Sequence, residues 1–125
     1  LTSTSQITSW YIGLYGAASS NNPAATDTMS SHAGWTEVTA YSESTRVAAT
    51  FAAATNANPS VVTNSASKAS FSINATATVG GAFLCSASSG TTGTLFSAAD
   101  FQSPGDRSVV SGDVLTVTYT FSLSA

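Results

Sequence analysis

Few side chains in this 125-residue chain are equipped for chemistry. His32 is the only histidine and Cys85 the only cysteine. The acids are Asp27, Glu37, Glu43, Asp100, Asp106 and Asp113; the bases are Arg46, Lys68 and Arg107. A Ser-His-Asp triad would draw on His32 and one of many serines, but no G-x-S-x-G elbow or comparable frame surrounds any serine. A metal site wants carboxylates or imidazoles at defined spacing, and neither D-x-D nor H-x-H occurs. A single cysteine permits no intrachain disulfide and no Cys-based zinc site. A glycosidase carboxylate pair meets only in the fold, and so few charges make it a poor expectation. Gly80-Gly81 and the Gly90–Gly93 stretch G-T-T-G open no helix after a strand and precede no Lys, so they read as turns rather than phosphate loops. His32 reads as a surface histidine and Arg46 as the structural partner of an acid. Asn74-Ala75-Thr76 matches a glycosylation sequon, which matters only in a eukaryotic secretory setting. No catalytic, cofactor-binding or metal residue is assigned, and the chain is expected not to be an enzyme.

Composition bounds the rest. The hydrophobic fraction of 42% is ordinary, whereas the charged fraction of 7% is far below the usual value of about 25%. Ser, Thr and Asn must therefore make the polar surface. Such a surface suits a protein shared with neighbours in an assembly, or one that works outside the cell. Three basic residues and a formal charge of −3 build no basic stripe, so nucleic acid is not an expected partner. No apolar run approaches the roughly 20 residues of a membrane-spanning helix, so no membrane association is expected. The first residue is Leu1, which reads as processing or as numbering that starts inside a longer product; L-T-S-T-S-Q lacks the regions of a signal peptide.

The elements follow from alternation. From Val114 to Ala125, Leu115, Val117, Tyr119, Phe121 and Leu123 fall on one side and hydroxyls on the other, the signature of a half-buried strand. Ala69 to Val79 repeats the pattern, with Phe71, Ile73, Ala75, Ala77 and Val79 facing inward. The final strand is expected to face those residues across a core, with Phe121 fully buried. Ser9–Tyr15 is apolar or aromatic on both faces, so it is expected to lie centrally or under a neighbouring subunit. Trp35–Tyr41 reads as a strand or an extended connection, and Arg46–Thr55 as a strand. Thr26 or Asp27 reads as an N-cap of one or two helical turns ending at Gly34, and Ser97–Phe101 as one more helical turn. Turns are expected at Asn56–Pro59, Pro104–Asp106 and Ser111–Asp113. The whole chain, 1–125, is predicted to be a single all-β domain, an antiparallel sandwich of jelly-roll type, with residues 1–8 as an extended arm.

Several segments, in order, resemble a common type of small tailed-bacteriophage structural protein. They are S-W-Y-I-G-L-Y, then W-T-E-V-T-A-Y-S-E-S-T-R-V-A-A-T-F, V-T-N-S-A-S-K-A-S-F, A-T-V-G-G-A-F-L with G-T-T-G-T-L-F, and V-V-S-G-D-V-L-T-V-T-Y-T-F-S-L. The resemblance covers nearly the whole chain and rests on strand-and-turn grammar. It implies a non-enzymatic virion protein without cofactor, with capsid decoration (cement) and tail-fibre roles both open.

The resulting expectation is a cement protein on the capsid exterior, a homotrimer whose partners are the major capsid protein and copies of itself. The rival expectations are a receptor- or carbohydrate-binding module on a tail or fibre, presenting Trp35 or Tyr41 in a groove, and an extracellular filament subunit. Trp10, Tyr11, Tyr15, Trp35 and Tyr41 are the candidate interface residues, with burial in the core as the competing use of the same rings.

Overall fold

A computed structural model describes residues 7–103 and 105–124. Among them the chain is all-β, and every strand pair is antiparallel. In chain order the strands are β1 (Tyr11–Tyr15), β2 (Glu37–Val38), β3 (Val47–Ala48), β4 (Ser60–Thr63), β5 (Ala69–Ser72), β6 (Ala77–Val79), β7 (Gly81–Cys85), β8 (Leu95–Asp100), β9 (Arg107–Val109), β10 (Val114–Val117) and β11 (Thr120–Leu123).

One sheet runs β2-β1-β7-β8, and β3 joins the same edge of β1 that β2 occupies. Strand alternation sends Ile12, Leu14, Ala82 and Leu84 to one face. There they share a core with Phe71, Ile73, Val79, Val109 and Val117. Tyr15, Phe83 and Cys85 point the other way and meet Met29 and Trp35 from the loop after β1. The two-sided apolar character of β1 is thus satisfied within the chain itself. Fully burying a side chain such as Ile12, Phe83 or Leu14 is worth about 1.5–3 kcal/mol each, which makes this sheet the thermodynamic centre.

Glycine sets how closely that centre packs. Gly13 stands opposite Phe83 and Tyr15 opposite Gly81 in the β1–β7 ladder. Each aromatic ring lies over the glycine facing it, in the space a Cβ would fill. Two rings therefore cover one face of the strand pair without pushing it apart.

The other strands form three ladders, β10 with β5, β11 with β4, and β6 with β9. The two long alternating segments are both interrupted. The 69–79 segment is broken between β5 and β6, where Ile73 bridges Tyr41. The final segment is broken at Thr118–Tyr119, where the buried Asn64 takes over the ladder. Its Oδ1 accepts from the Tyr119 amide at 2.7 Å, its Nδ2 donates to the Val117 carbonyl at 3.2 Å, and its own amide donates to the Tyr119 carbonyl at 3.3 Å.

Three expectations are corrected. Asp27 caps no helix; its carboxylate accepts from the Ala24 amide and from Trp35 Nε1, and residues 28–31 close a tight turn through a Thr28–Ser31 bridge. Ser97–Phe101 is no helical turn, because its first four residues belong to β8 and pair with β7. Leu115 lies beside Phe71 as a hydrogen-bonded neighbour, not across a core from it, and Phe121 is 41% and Leu123 66% exposed. Of the expected arm over 1–8, residues 1–6 lie outside the described residues, as does Pro104 of the 104–106 turn.

Candidate functional site

Among the described residues, Ser97 Oγ is the one buried side-chain polar atom without a hydrogen-bond partner; the others are paired. Arg46 is 4% exposed and holds Glu37 through both carboxylate oxygens, Nε to Oε2 at 2.8 Å and Nη2 to Oε1 at 2.7 Å. The same guanidinium donates to the carbonyls of Ala87 and Gly90 and lies 5.2 Å from the centre of the Phe83 ring. Burial works against its charge, and the Glu37 carboxylate outweighs that, so Arg46 is held protonated even more firmly than usual. The expected structural pairing of Arg46 with an acid is what the fold contains. Glu37 is the acid; Glu43 instead accepts from the Ser72 amide, which draws its carboxyl below the ordinary range.

Cys85 is buried, and desolvation raises its thiol pKa against the opposing pull of the Ala87 backbone and Arg46, so the sulfur stays protonated. His32 stacks on Trp35 with ring centres 3.8 Å apart, and its Nδ1 is 3.0 Å from the Trp35 carbonyl oxygen. Tyr15 donates to Asp100 at 2.7 Å; burial first, then that bond and the carboxylate charge, hold its phenol far above the ordinary value. Burial likewise pushes Tyr41 up to about 12, with Glu37 adding to the effect. Among the described residues no three His, Cys, Asp or Glu side chains converge as a metal site, and no helix is long and apolar enough to cross a membrane.

Of the five aromatics named from sequence, Tyr15, Trp35 and Tyr41 are buried in the chain's own core, at 0%, 3% and 7% exposure. Their rings complete the two apolar clusters and leave nothing for a partner or a sugar to touch. Tyr11 is half-buried against the Trp35 cluster. Trp10 is half-buried too, and of the five it is the one that lines an open apolar hollow.

That surface lies where the edge of β8 approaches β10 and β11. Trp10 meets Phe96 edge to face at 5.6 Å, and Phe96 meets Phe121 in the same way at 5.4 Å. Phe51, Leu84 and Tyr119 form the floor of an apolar hollow of about 180 Å³ beneath them. Phe96 is 46% exposed. Tyr119 also lines a larger open cleft of about 590 Å³ between residues 99–103 and residues 115–120. Phe96, Phe51 and Phe121 are not among the interface candidates read from the sequence. Alternation assigned Phe121 to the core, and Phe96 carried no pattern of its own. The available signal was the number of large apolar rings relative to the small area that short strands cover.

No family model, curated protein or solved structure matches this chain.

Proposed function

We propose that this chain is a non-enzymatic structural protein of a tailed-bacteriophage virion, a decoration protein that ties capsid subunits together on the particle exterior as a homotrimer. In this reading the two layers form a sandwich of jelly-roll type, and the working parts are surfaces rather than reactive groups. The observation that carries it is the row of rings from half-buried Trp10 to exposed Phe96 and Phe121, with exposed Leu123 two residues on, on a chain with only three basic and six acidic residues. Contiguous apolar surface of this kind marks a face that another protein covers. The ordered resemblance to tailed-phage structural proteins supplies the setting. Many copies on a shell add weak contacts through multivalency, so no single interface has to be strong.

A sugar-binding role resting on Trp35 or Tyr41 loses its platform, since both rings are core. The test is immunogold labelling of purified particles with antibody raised against this chain. Label spread over the heads is the expected result. Label confined to tails or fibres would move the protein to the receptor-binding class, and unlabelled particles would overturn the virion assignment.

A further inference from the structure

The consecutive strands β10 and β11 each have one edge in use and one edge open among the described residues. Ile73 donates its amide to the Asp113 carbonyl, so Asp113 faces β5; two-residue steps make Leu115 and Val117 face it as well. Ser72, opposite Val114, spends its amide on Glu43 and its carbonyl on the Ser42 amide, away from β10. On β11 the carbonyls of Thr63 and Val61 are taken by Ala52 and Thr55 on the far side, so Thr120 and Ser122 opposite them also point outward. The amides and carbonyls of Val114, Thr116, Thr120 and Ser122 therefore line an outer edge with no strand beside it among the described residues. Such an edge is a template for another strand.

The large cleft runs along this edge. Leu115–Thr120 forms one wall, about 17 Å long at the rise of a strand, and residues 99–103 with Arg107 form the other. The core-side residues of the wall, Leu115, Val117 and Tyr119, alternate with Thr116, Thr118 and Thr120, so an incoming strand is offered apolar contacts on one side and hydroxyls on the other.

We propose that this edge accepts a strand from a second copy of the chain, supplied by residues 1–9, and that this exchange ties the copies together. It rests on the assembly reading above for its oligomer and deepens it. Residues 1–9 read L-T-S-T-S-Q-I-T-S, with no charge, glycine or proline, and are rich in Thr and Ser matched to the hydroxyl side of the edge. Ile7, Thr8 and Ser9 are exposed. They lead into Trp10, whose ring stands against Phe96 over the apolar hollow that shares Tyr119 with the cleft. Nine extended residues reach about 30 Å, enough to span to an adjoining copy. Main-chain pairing supplies affinity and the alternating wall supplies register, as in strand addition generally. A giver at one place and an acceptor at another make a head-to-tail contact, which closes into a ring where the rotation between copies closes, as the trimer requires.

The test measures mass in solution by light scattering for the full chain, for a chain lacking residues 1–9, and for Thr116→Pro. Proline at 116 removes an outward amide that has no acceptor among the described residues, so the fold tolerates it while the edge is blocked. The full chain is expected to be an oligomer, and each variant a monomer with near-unchanged melting, a threefold fall in mass for a trimer. An equimolar mixture of the two variants should form a heterodimer, because one keeps the cleft and the other keeps the arm. A synthetic peptide of residues 1–9 should bind the deleted chain and dissociate the full-chain oligomer; this reading stands even if Thr116→Pro fails to fold. A monomeric full chain, an oligomer that survives the deletion, or a peptide that fails to bind the deleted chain would each overturn strand exchange. Head labelling by antibody is independent of all three, so the two proposals fail separately.

Discussion

Replacing Arg46 by methionine is the sharpest probe of how this low-charge fold is held together. The substitution keeps much of the apolar stem and removes the one buried cation, whose side chain is 3% exposed against 24% for Glu37. Taking one partner from a buried ion pair costs about 3–5 kcal/mol. Glu37 can turn to water, and Cys85 Sγ still donates to the Ala87 carbonyl, which places Arg46→Met near the lower end, about 3 kcal/mol. Glu37→Gln leaves Arg46 two carbonyl acceptors and the Phe83 ring, so it should cost less, about 1–2 kcal/mol. For a domain of this size 1 kcal/mol moves the melting temperature by about 3–5 °C, so the two variants should melt about 9–15 °C and 3–10 °C below the parent. The combination Arg46→Met with Glu37→Leu should recover at least half of the Arg46→Met loss, since neither charge is then stranded. Urea titrations with a common slope give the free energies directly. Should Arg46→Met alone melt with the parent, the bidentate pair is not holding the 85–90 loop to β2 and β3, and the reasoning fails.

Three further outcomes follow from the core. Gly13→Ala puts a methyl into the Phe83 ring and should cost about 1–3 kcal/mol, while Gly13→Ala combined with Phe83→Leu should lose less than the sum of the separate changes, checked by urea unfolding. Asn64→Ala strands the Tyr119 amide and the Val117 carbonyl and should cost about 1–3 kcal/mol by the same measurement. Tyr41 holds its proton to about 12 when folded against about 10 when unfolded, and Tyr15 holds its proton still more tightly. Their contribution is intact below pH 10 and lost as pH rises through 12, so the chain should unfold in alkali together with a rise in tyrosinate absorbance. Tyr41→Phe should flatten that loss while leaving neutral stability nearly unchanged; an alkaline profile identical to the parent would contradict the assignment.

Much of the all-β character was legible in alternation, which located Leu115 and Val117 on the inner side of their strand. Alternation speaks of faces and not of what covers them. It therefore placed Phe121 and Leu123 in a core that ends before reaching them. Nor could it show that β5 and β10 are neighbours in one ladder, since pairing is set by backbone hydrogen bonds rather than by side-chain type. The helical turns were misread for two separate reasons. Around Asp27 the capping carboxylate found the Trp35 indole instead of a helix amide, and in Ser97–Asp100 alanine's helical preference yielded to the β7 ladder. Arg46 as a structural cation was readable from its isolation among apolar residues. The open row of rings was not readable, because exposure depends on how far the neighbouring layer extends.

The double wrapping of β1 also has a temporal side. Its strand partner β7 and the Asp100 carboxylate that receives the Tyr15 hydroxyl come late in the chain, the latter 85 residues downstream. At 5–20 residues per second on the ribosome, β1 waits about 4–17 s for that contact. During this interval Ile12, Leu14 and Tyr15, all solvent-free in the finished fold, have no central partner to shelter them. Native pairing this distant in sequence is slow to find, which puts the chain among late-collapsing β proteins. The strand that anchors the finished molecule is thus the one most exposed to aggregation while the molecule is being made.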